Sequence, residues 1–164
     1  SVLEHPMAHK ILAAPGRAEE SFFATCPNTG LELKCRPDWL TDSGWLVDLK
    51  TTQDASLKGF QKAVATYRYH VQAAHYLNVF KLATGTQPRG FIFIAVESTD
   101  PWAVQVFEAS PLLIEAGALE VNRNLQALAH AATTYPLGLP WPGYSQHVTT
   151  LDPPTWMSPR LPEM

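Results

Sequence analysis

Apolar residues at Val2, Leu3, Met7, Ile11 and Leu12 recur at helical spacing. Residues 1–14 therefore predict a helix, which Pro15-Gly16 stops. Ser21 to Cys26 and Leu31 to Asp38 predict two strands joined by the turn Pro27-Asn28-Thr29-Gly30. Trp45 to Lys50 is a short apolar run after the turn Thr41-Asp42-Ser43-Gly44 and predicts a third strand. Residues 57–83 read as helix with a break near Tyr67. Phe91 to Glu97 is an unbroken apolar run, the pattern of a strand buried on both faces. Ala103 to Glu108 alternates like another strand, and Pro111 to about Ala132 reads as a helix with proline in its first turn. This order predicts an α/β fold, with a mixed sheet of about five strands flanked by helices.

After Tyr135 the pattern stops: seven of the chain's 14 prolines fall between Pro136 and Pro162. Residues 1–135 are thus expected to form the core domain. Residues 136–164 are expected to form a Pro-rich extension, packing through Trp141, Tyr144 and Trp156 or trailing from the core.

Composition adds bounds. The chain has 164 residues, 46% hydrophobic and 16% charged, which is enough for one real core and is not a disordered composition. No apolar run approaches the roughly 20 residues that span a bilayer. Glu4, His5 and Lys10 interrupt the start too early for a signal peptide. With the hairpin closed at Pro27–Gly30, Cys26 faces Leu31 rather than Cys35. Two thiols in a reducing cytoplasm are therefore expected, not a disulfide. A net charge of −3 does not advertise nucleic-acid binding. Any such contact must be local, and Lys58, Lys62, Arg68, Lys81 and Arg89 make the middle of the chain basic.

The candidate chemistry lies in Arg36-Pro37-Asp38 and, ten residues after that aspartate, Asp48-Leu49-Lys50. Asp48 and Lys50 lie two apart on a predicted strand, so they share a face, roughly 6–7 Å apart along it. Asp38, on the preceding strand, can supply a second carboxylate. Pairing Cys26 with Leu31 sets Glu19 across from Asp38. Facing carboxylates repel unless a cation lies between them. Glu19, Asp38 and Asp48, with the Leu49 carbonyl at the strand edge, would make an oxygen-lined pocket suited to Mg²⁺, with Mn²⁺ as a substitute. One or two such ions would polarise a phosphoryl oxygen and acidify a bound water. Lys50 would orient or deprotonate that water and offset developing charge. Gln72 and Tyr76 are four apart, hence on one helix face, and form a polar stripe with Arg68. A solvated surface is the other reading of Glu19 and of the Gln72–Tyr76 pair. Arg68, Lys58 and Lys62 are the candidate DNA contacts. Trp39, Trp45 and Trp102 read as core or sheet-edge aromatics, His70 and His75 as packing residues, and Phe60 as core or as a wedge against a DNA end.

Pro37-Asp38 with Asp48-Leu49-Lys50 resembles the name-giving motif of the PD-(D/E)XK nuclease superfamily, whose fold is the restriction-endonuclease-like sheet. Three further strings, Val47-Asp48-Leu49-Lys50-Thr51-Thr52, Tyr67-Arg68-Tyr69-His70-Val71-Gln72-Ala73-Ala74-His75-Tyr76 and Arg123-Asn124-Leu125, are similar to the C-terminal nuclease domains of exodeoxyribonuclease VIII and its prophage relatives. The resemblance runs from about Glu19 to Trp156. It implies Mg²⁺-dependent, processive 5′→3′ digestion of linear double-stranded DNA, a ring-like homo-oligomer with DNA in its channel, and partnership with a single-strand annealing protein in recombination. It implies that Asp38 and Asp48 bind metal, that Lys50 is catalytic, and that Gln72 and Tyr76 form the motif that follows. It also implies that Glu19 is the upstream acid, with neighbouring Glu20 the alternative. Relatives carry a histidine on an earlier helix, so the N-terminal part of the family domain is expected to be absent here. His5-Pro6 reads instead as a helix start.

Other readings remain. One is a single-strand or structure-specific nuclease of the same fold, and another is a catalytically weak DNA-binding or scaffolding subunit. The intact Asp38, Asp48, Lys50 set favours an enzyme.

Overall fold

The computed structural model describes residues 2–135, 139–141, 143–154, 156 and 157. A 3-10 turn, Val2–Glu4, precedes helix α1, Pro6–Leu12. The expected 1–14 helix is thus interrupted at His5-Pro6. His5 caps α1, its Nδ1 accepting the Ala8 N–H at 3.2 Å, and Pro6 occupies the first turn, where a missing N–H costs nothing. Strands β1 (Gly16–Ala18), β2 (Phe22–Thr25), β3 (Glu32–Cys35), β4 (Trp39–Thr41) and β5 (Trp45–Thr52) follow. Then come helices α2 (Leu57–Tyr67) and α3 (Tyr69–Thr84), strands β6 (Gly90–Glu97) and β7 (Val104–Glu108), and helix α4 (Pro111–Thr134).

Five strands form one mixed sheet in the order β1-β4-β5-β6-β7, while β2 and β3 form a separate hairpin. The expected α/β fold with about five strands flanked by helices is the one observed. β5 and β6 are parallel over eight pairs, from Trp45↔Gly90 to Thr52↔Glu97, and α2 and α3 make the crossover between them. The hairpin register is the expected one, with Phe22 opposite Cys35 and the Cys26 N–H bonded to the Leu31 carbonyl at 2.8 Å.

The expected 31–38 strand divides in two. It ends at Cys35, and buried Pro37, which has no N–H to give a ladder, separates it from β4 in the other sheet. Pairing begins again at Trp39, opposite Val47. Strands β1 and β4 are both three residues long, too short to carry an alternation signal.

The two sheet faces bury different layers. Leu46, Phe91, Phe93 and Ala95 join the core under α2 and α3, with Leu113, Ile114 and Leu125 of α4 packed against it. Val47, Ile92 and Ile94 face the other way and pack with Ala8, Ile11 and Leu12 of α1. This explains the unbroken apolar run of β6, since both of its faces are covered. The face of β5 that carries Leu46 also carries Asp48 and Lys50, by the two-residue repeat of a strand. The acid-lysine pair therefore points into the helical layer.

Phe60 is core: 3% exposed and stacked on Phe107 at 4.8 Å. Trp39 and Trp45 pack on the α1 side of the sheet, whereas Trp102 is exposed in the β6–β7 connection. Both cysteines are free and buried, and burial pushes the Cys35 thiol up to about 11, where it is inert.

The chain divides into two compact units, Ser1–His130 and Ala131–Met164. In the second, Trp141, Tyr144 and Trp156 are exposed. Pro136, Pro142, Pro159 and Pro162 lie outside the described residues. No described helix is long and apolar enough to cross a membrane.

Candidate active site

Asp48 is the centre of the site. It is 4% exposed, one of two buried polar residues among those described. Its Oδ1 accepts a hydrogen bond from Gln72 Nε2 at 2.8 Å. Its Oδ2 is buried and among the described residues accepts no hydrogen bond of regular geometry; the Lys50 ammonium stands against it at 2.5 Å. Burial pushes the Asp48 carboxyl above the ordinary carboxylate range. The charge of Asp38 pushes the same way, while Lys50 and then Gln72 pull it back.

Asp38 reaches the same place from the start of β4. Its Oδ2 accepts the Leu49 N–H at 2.7 Å. That bond exists because β4 pairs with β5 only through Trp39↔Val47 and Leu40↔Leu46. Beyond Val47 no strand among the described residues lies beside this edge of β5, and the Asp38 carboxylate takes the ladder position. Along a strand the N–H and C=O of one residue point to the same side, so the Leu49 carbonyl opens toward the same edge.

Tyr69, at the start of α3, completes the wall. Lys50 Nζ lies over its ring, 4.6 Å from the centroid. Burial, followed by Tyr67 and Asp48, raises the Tyr69 hydroxyl above its usual value. Sequence reasoning gave Tyr69 no role, although it precedes Gln72 by three residues and so shares its helix face.

The remaining candidates lie elsewhere. Glu19 is opposite Asp38 through its backbone, donating its N–H to the Asp38 carbonyl at 3.1 Å, with a left-handed φ of 50°. Its carboxylate pairs with exposed Arg36 at 3.3 Å. Glu20 pairs with Arg17 at 3.2 Å. Tyr76 packs against the core, its ring edge-on to Phe91 at 6.2 Å. Arg68 pairs with Glu120 of α4, whose other oxygen meets His70 Nε2 at 3.2 Å. Arg68, Gln72 and Tyr76 therefore do not act as one stripe, because α3 begins after Arg68. Lys58 and Lys62 are exposed on α2.

The donor set suits a hard divalent cation. Asp38, Asp48 and the Leu49 carbonyl offer oxygen only, and Mg²⁺ takes one or two carboxylates plus waters and phosphate oxygens. The buried Asp48 Oδ2, with no regular hydrogen bond, is the atom such an ion would satisfy. Among the described residues no group of three or more His, Cys, Asp or Glu side chains converges. Any further ligands must then be backbone, water or substrate.

A mixed sheet whose central strand carries Asp-x-Lys, with a second aspartate at the end of its neighbour, defines the PD-(D/E)XK nuclease fold. The model of the PDDEXK-like domain of unknown function, DUF3799, matches residues 1–152, and the chain belongs to that family. No curated protein matches the chain. Among solved structures, an exonuclease candidate from Eubacterium rectale aligns with a TM-score of 0.65 at 15% identity, covering 77% of this chain and 48% of that one. An alkaline exonuclease (LHK-Exo) from Laribacter hongkongensis aligns with a TM-score of 0.39 at 15% identity, covering 80% of this chain and 69% of that one. The chain thus spans about half the length of the Eubacterium rectale protein. At this identity, that likeness is one of fold.

Proposed function

We propose that this chain is a Mg²⁺-dependent exodeoxyribonuclease that hydrolyses phosphodiester bonds at the ends of linear double-stranded DNA, 5′→3′, in recombination. The observation that carries the reading is the convergence on Asp48, where Gln72, Lys50 and the Asp38–Leu49 bond meet around one buried carboxylate.

Asp38, Asp48 and the Leu49 carbonyl would hold a divalent ion, which would supply charge to polarise a phosphoryl oxygen and acidify a water. Lys50 presents a cation in a partly desolvated site, where it offsets charge developing on the phosphate and orients the attacking water. Gln72 holds Asp48 in one rotamer and favours its charged form. Tyr69 backs the Lys50 stem so that the ammonium stays beside Asp48. Lys58 and Lys62 are surface cations for the DNA backbone, where they position rather than specify. Tyr76 and Arg68 serve by holding α3, the first against the core and the second against Glu120. The family resemblance adds a ring-like homo-oligomer around the DNA and a single-strand annealing partner.

The test is digestion of linear duplex DNA labelled at its 5′ or 3′ ends, with Mg²⁺ or with EDTA, by wild type and Lys50→Ala. Mg²⁺-dependent loss of 5′ label that Lys50→Ala abolishes is the expected result. Release of 3′ label first would reverse the polarity. No cleavage and no Mg²⁺ binding by the wild type would overturn the nuclease reading.

A further inference from the structure

A cleft of about 570 Å³ lies beside the site, lined by Lys62, Tyr67 and Tyr69 and by the hydroxyl-bearing Thr51, Thr52 and Thr66. We propose that this cleft is a subsite for one unpaired nucleotide of the DNA end, with the Tyr67–Tyr69 stack as its base platform and Lys62 as its phosphate contact. The proposal rests on the nuclease reading and names where the strand end lies.

The platform comes from a break in the helix. Residues two apart in a continuous helix point to nearly opposite sides. Arg68 takes a left-handed φ of 57°, ending α2 and starting α3. That turn brings the rings of Tyr67 and Tyr69 to 5.6 Å at 26°, a stacked pair. The conformation is unfavourable for a non-glycine residue, and the Arg68–Glu120 ion pair holds it.

Each ring of the pair faces a different environment. Tyr69 is partly buried and carries Lys50 on its ring. Tyr67 is 67% exposed, so it offers a flat apolar surface to whatever enters the cleft. An aromatic face beside a cation and several hydroxyls is the chemistry that takes a nucleotide without choosing its base. A base inside a duplex has no free face, and a terminal pair would have to bring both strands into a cleft of about 570 Å³, so the ligand that fits is an unpaired end. The volume falls within the range of small-ligand sites. Asp54 also borders the cleft, but its Oδ1 is engaged by the Ser56 N–H at 2.8 Å. Because Tyr69 is shared, a strand end in the cleft would run its next phosphate toward Lys50.

The experiment compares wild type, Tyr67→Ala, Tyr67→Phe and Lys62→Ala. The probe is an oligonucleotide duplex with an unpaired terminal 2-aminopurine. Binding and base emission are read in EDTA, where nothing is cut, and KM and kcat are read separately with Mg²⁺. Tyr67→Ala should weaken binding about tenfold, abolish the quenching of the terminal base, and raise KM while leaving kcat within about twofold. Tyr67→Phe should keep the stack and behave as wild type. Lys62→Ala should weaken binding but retain the quench. Wild-type binding and quenching in Tyr67→Ala would overturn the subsite, even if the protein cuts DNA normally. Quenching that depends on Tyr67 in a wild type that does not cut would support the subsite and sink the nuclease reading instead.

Discussion

Two carboxylates organise α3, and they are treated in opposite ways. Asp48 is buried and its acidity is weakened. Glu120, on α4, is surrounded by His70, Arg68 and Arg123. His70, then Arg68, lower the Glu120 carboxyl below its usual range. The comparison separates a site from a clamp. A clamp supplies its carboxylate with more donors than it needs, in water, and the charged form is favoured. The site desolvates its carboxylate and leaves Oδ2 without a regular hydrogen bond. That arrangement costs stability and keeps an oxygen ready for a cation.

The largest effect expected from breaking this contrast is on catalysis. Lys50→Ala should lower the single-turnover cleavage rate by about 10²–10⁴-fold, with far-UV circular dichroism unchanged.

Next comes exchange of each acid for its neutral isostere. Asp48→Asn should lower cleavage by no more than Lys50→Ala does, yet unfold at a temperature no lower than wild type at neutral pH. A folded pKa raised above the unfolded one means that the charged form is disfavoured by folding. Glu120→Gln should do the reverse, retaining cleavage while lowering the melting temperature, because there folding favours the charge. A destabilised Asp48→Asn with a fully stable Glu120→Gln would erase the distinction. In the same melts, Mg²⁺ at a hundred times its Kd should stabilise the wild type by about 2.7 kcal/mol and leave Asp48→Asn unmoved.

Gln72→Leu should reduce cleavage by about 10–100-fold, the usual size for a residue that orients a metal ligand. Asp48 must be ionised to bind a cation, so at sub-saturating Mg²⁺, where the metal-free protein predominates, the acid limb of the pH–rate profile should lie above the ordinary aspartate value of about 3.9. Removing Gln72 takes away a hydrogen bond to the charged form, so that limb should move further up. A limb that stays put in Gln72→Leu would mean that Gln72 does not act through Asp48. The linked effect on stability has the same sign. As pH falls through the raised folded pKa toward the unfolded one, the penalty of burying the charge disappears and this residue no longer opposes folding.

A smaller effect is expected at Gly117, where α4 crosses α3. A Cβ there would collide with the His70 carbonyl. Gly117→Ala should lower stability by roughly 1–3 kcal/mol, seen in urea melts, by pushing Glu120 away from its partners.

Much of the architecture was legible because its signals are local. β6 shows as an unbroken apolar run, the pause in the long helix as a break near Tyr67, and the hairpin register as a turn of fixed length. Others were not legible. β1 and β4 are too short to show a period, and Pro37 hides the change of sheet between β3 and β4. In the site, Asp48 and Lys50 share a face by spacing alone. Glu19 followed the same logic as far as its backbone, yet its side chain went to Arg36, a contact that register does not determine. Tyr76 shares a helix face with Gln72, but its ring packs into the core.

Local patterning along the chain sets the periodic elements, the strand carrying Asp48 and Lys50, and the spacing that puts Asp38 near them, because these follow from repeats of 2 and 3.6 residues and from turn chemistry. Packing in three dimensions buries Asp48, brings the Asp38 carboxylate to the Leu49 N–H, sets Tyr69 beneath Lys50, and pairs Arg68 with Glu120. Each of these depends on which element ends where another begins. Burial and pairing are properties of the packed whole, and no window along the chain contains them.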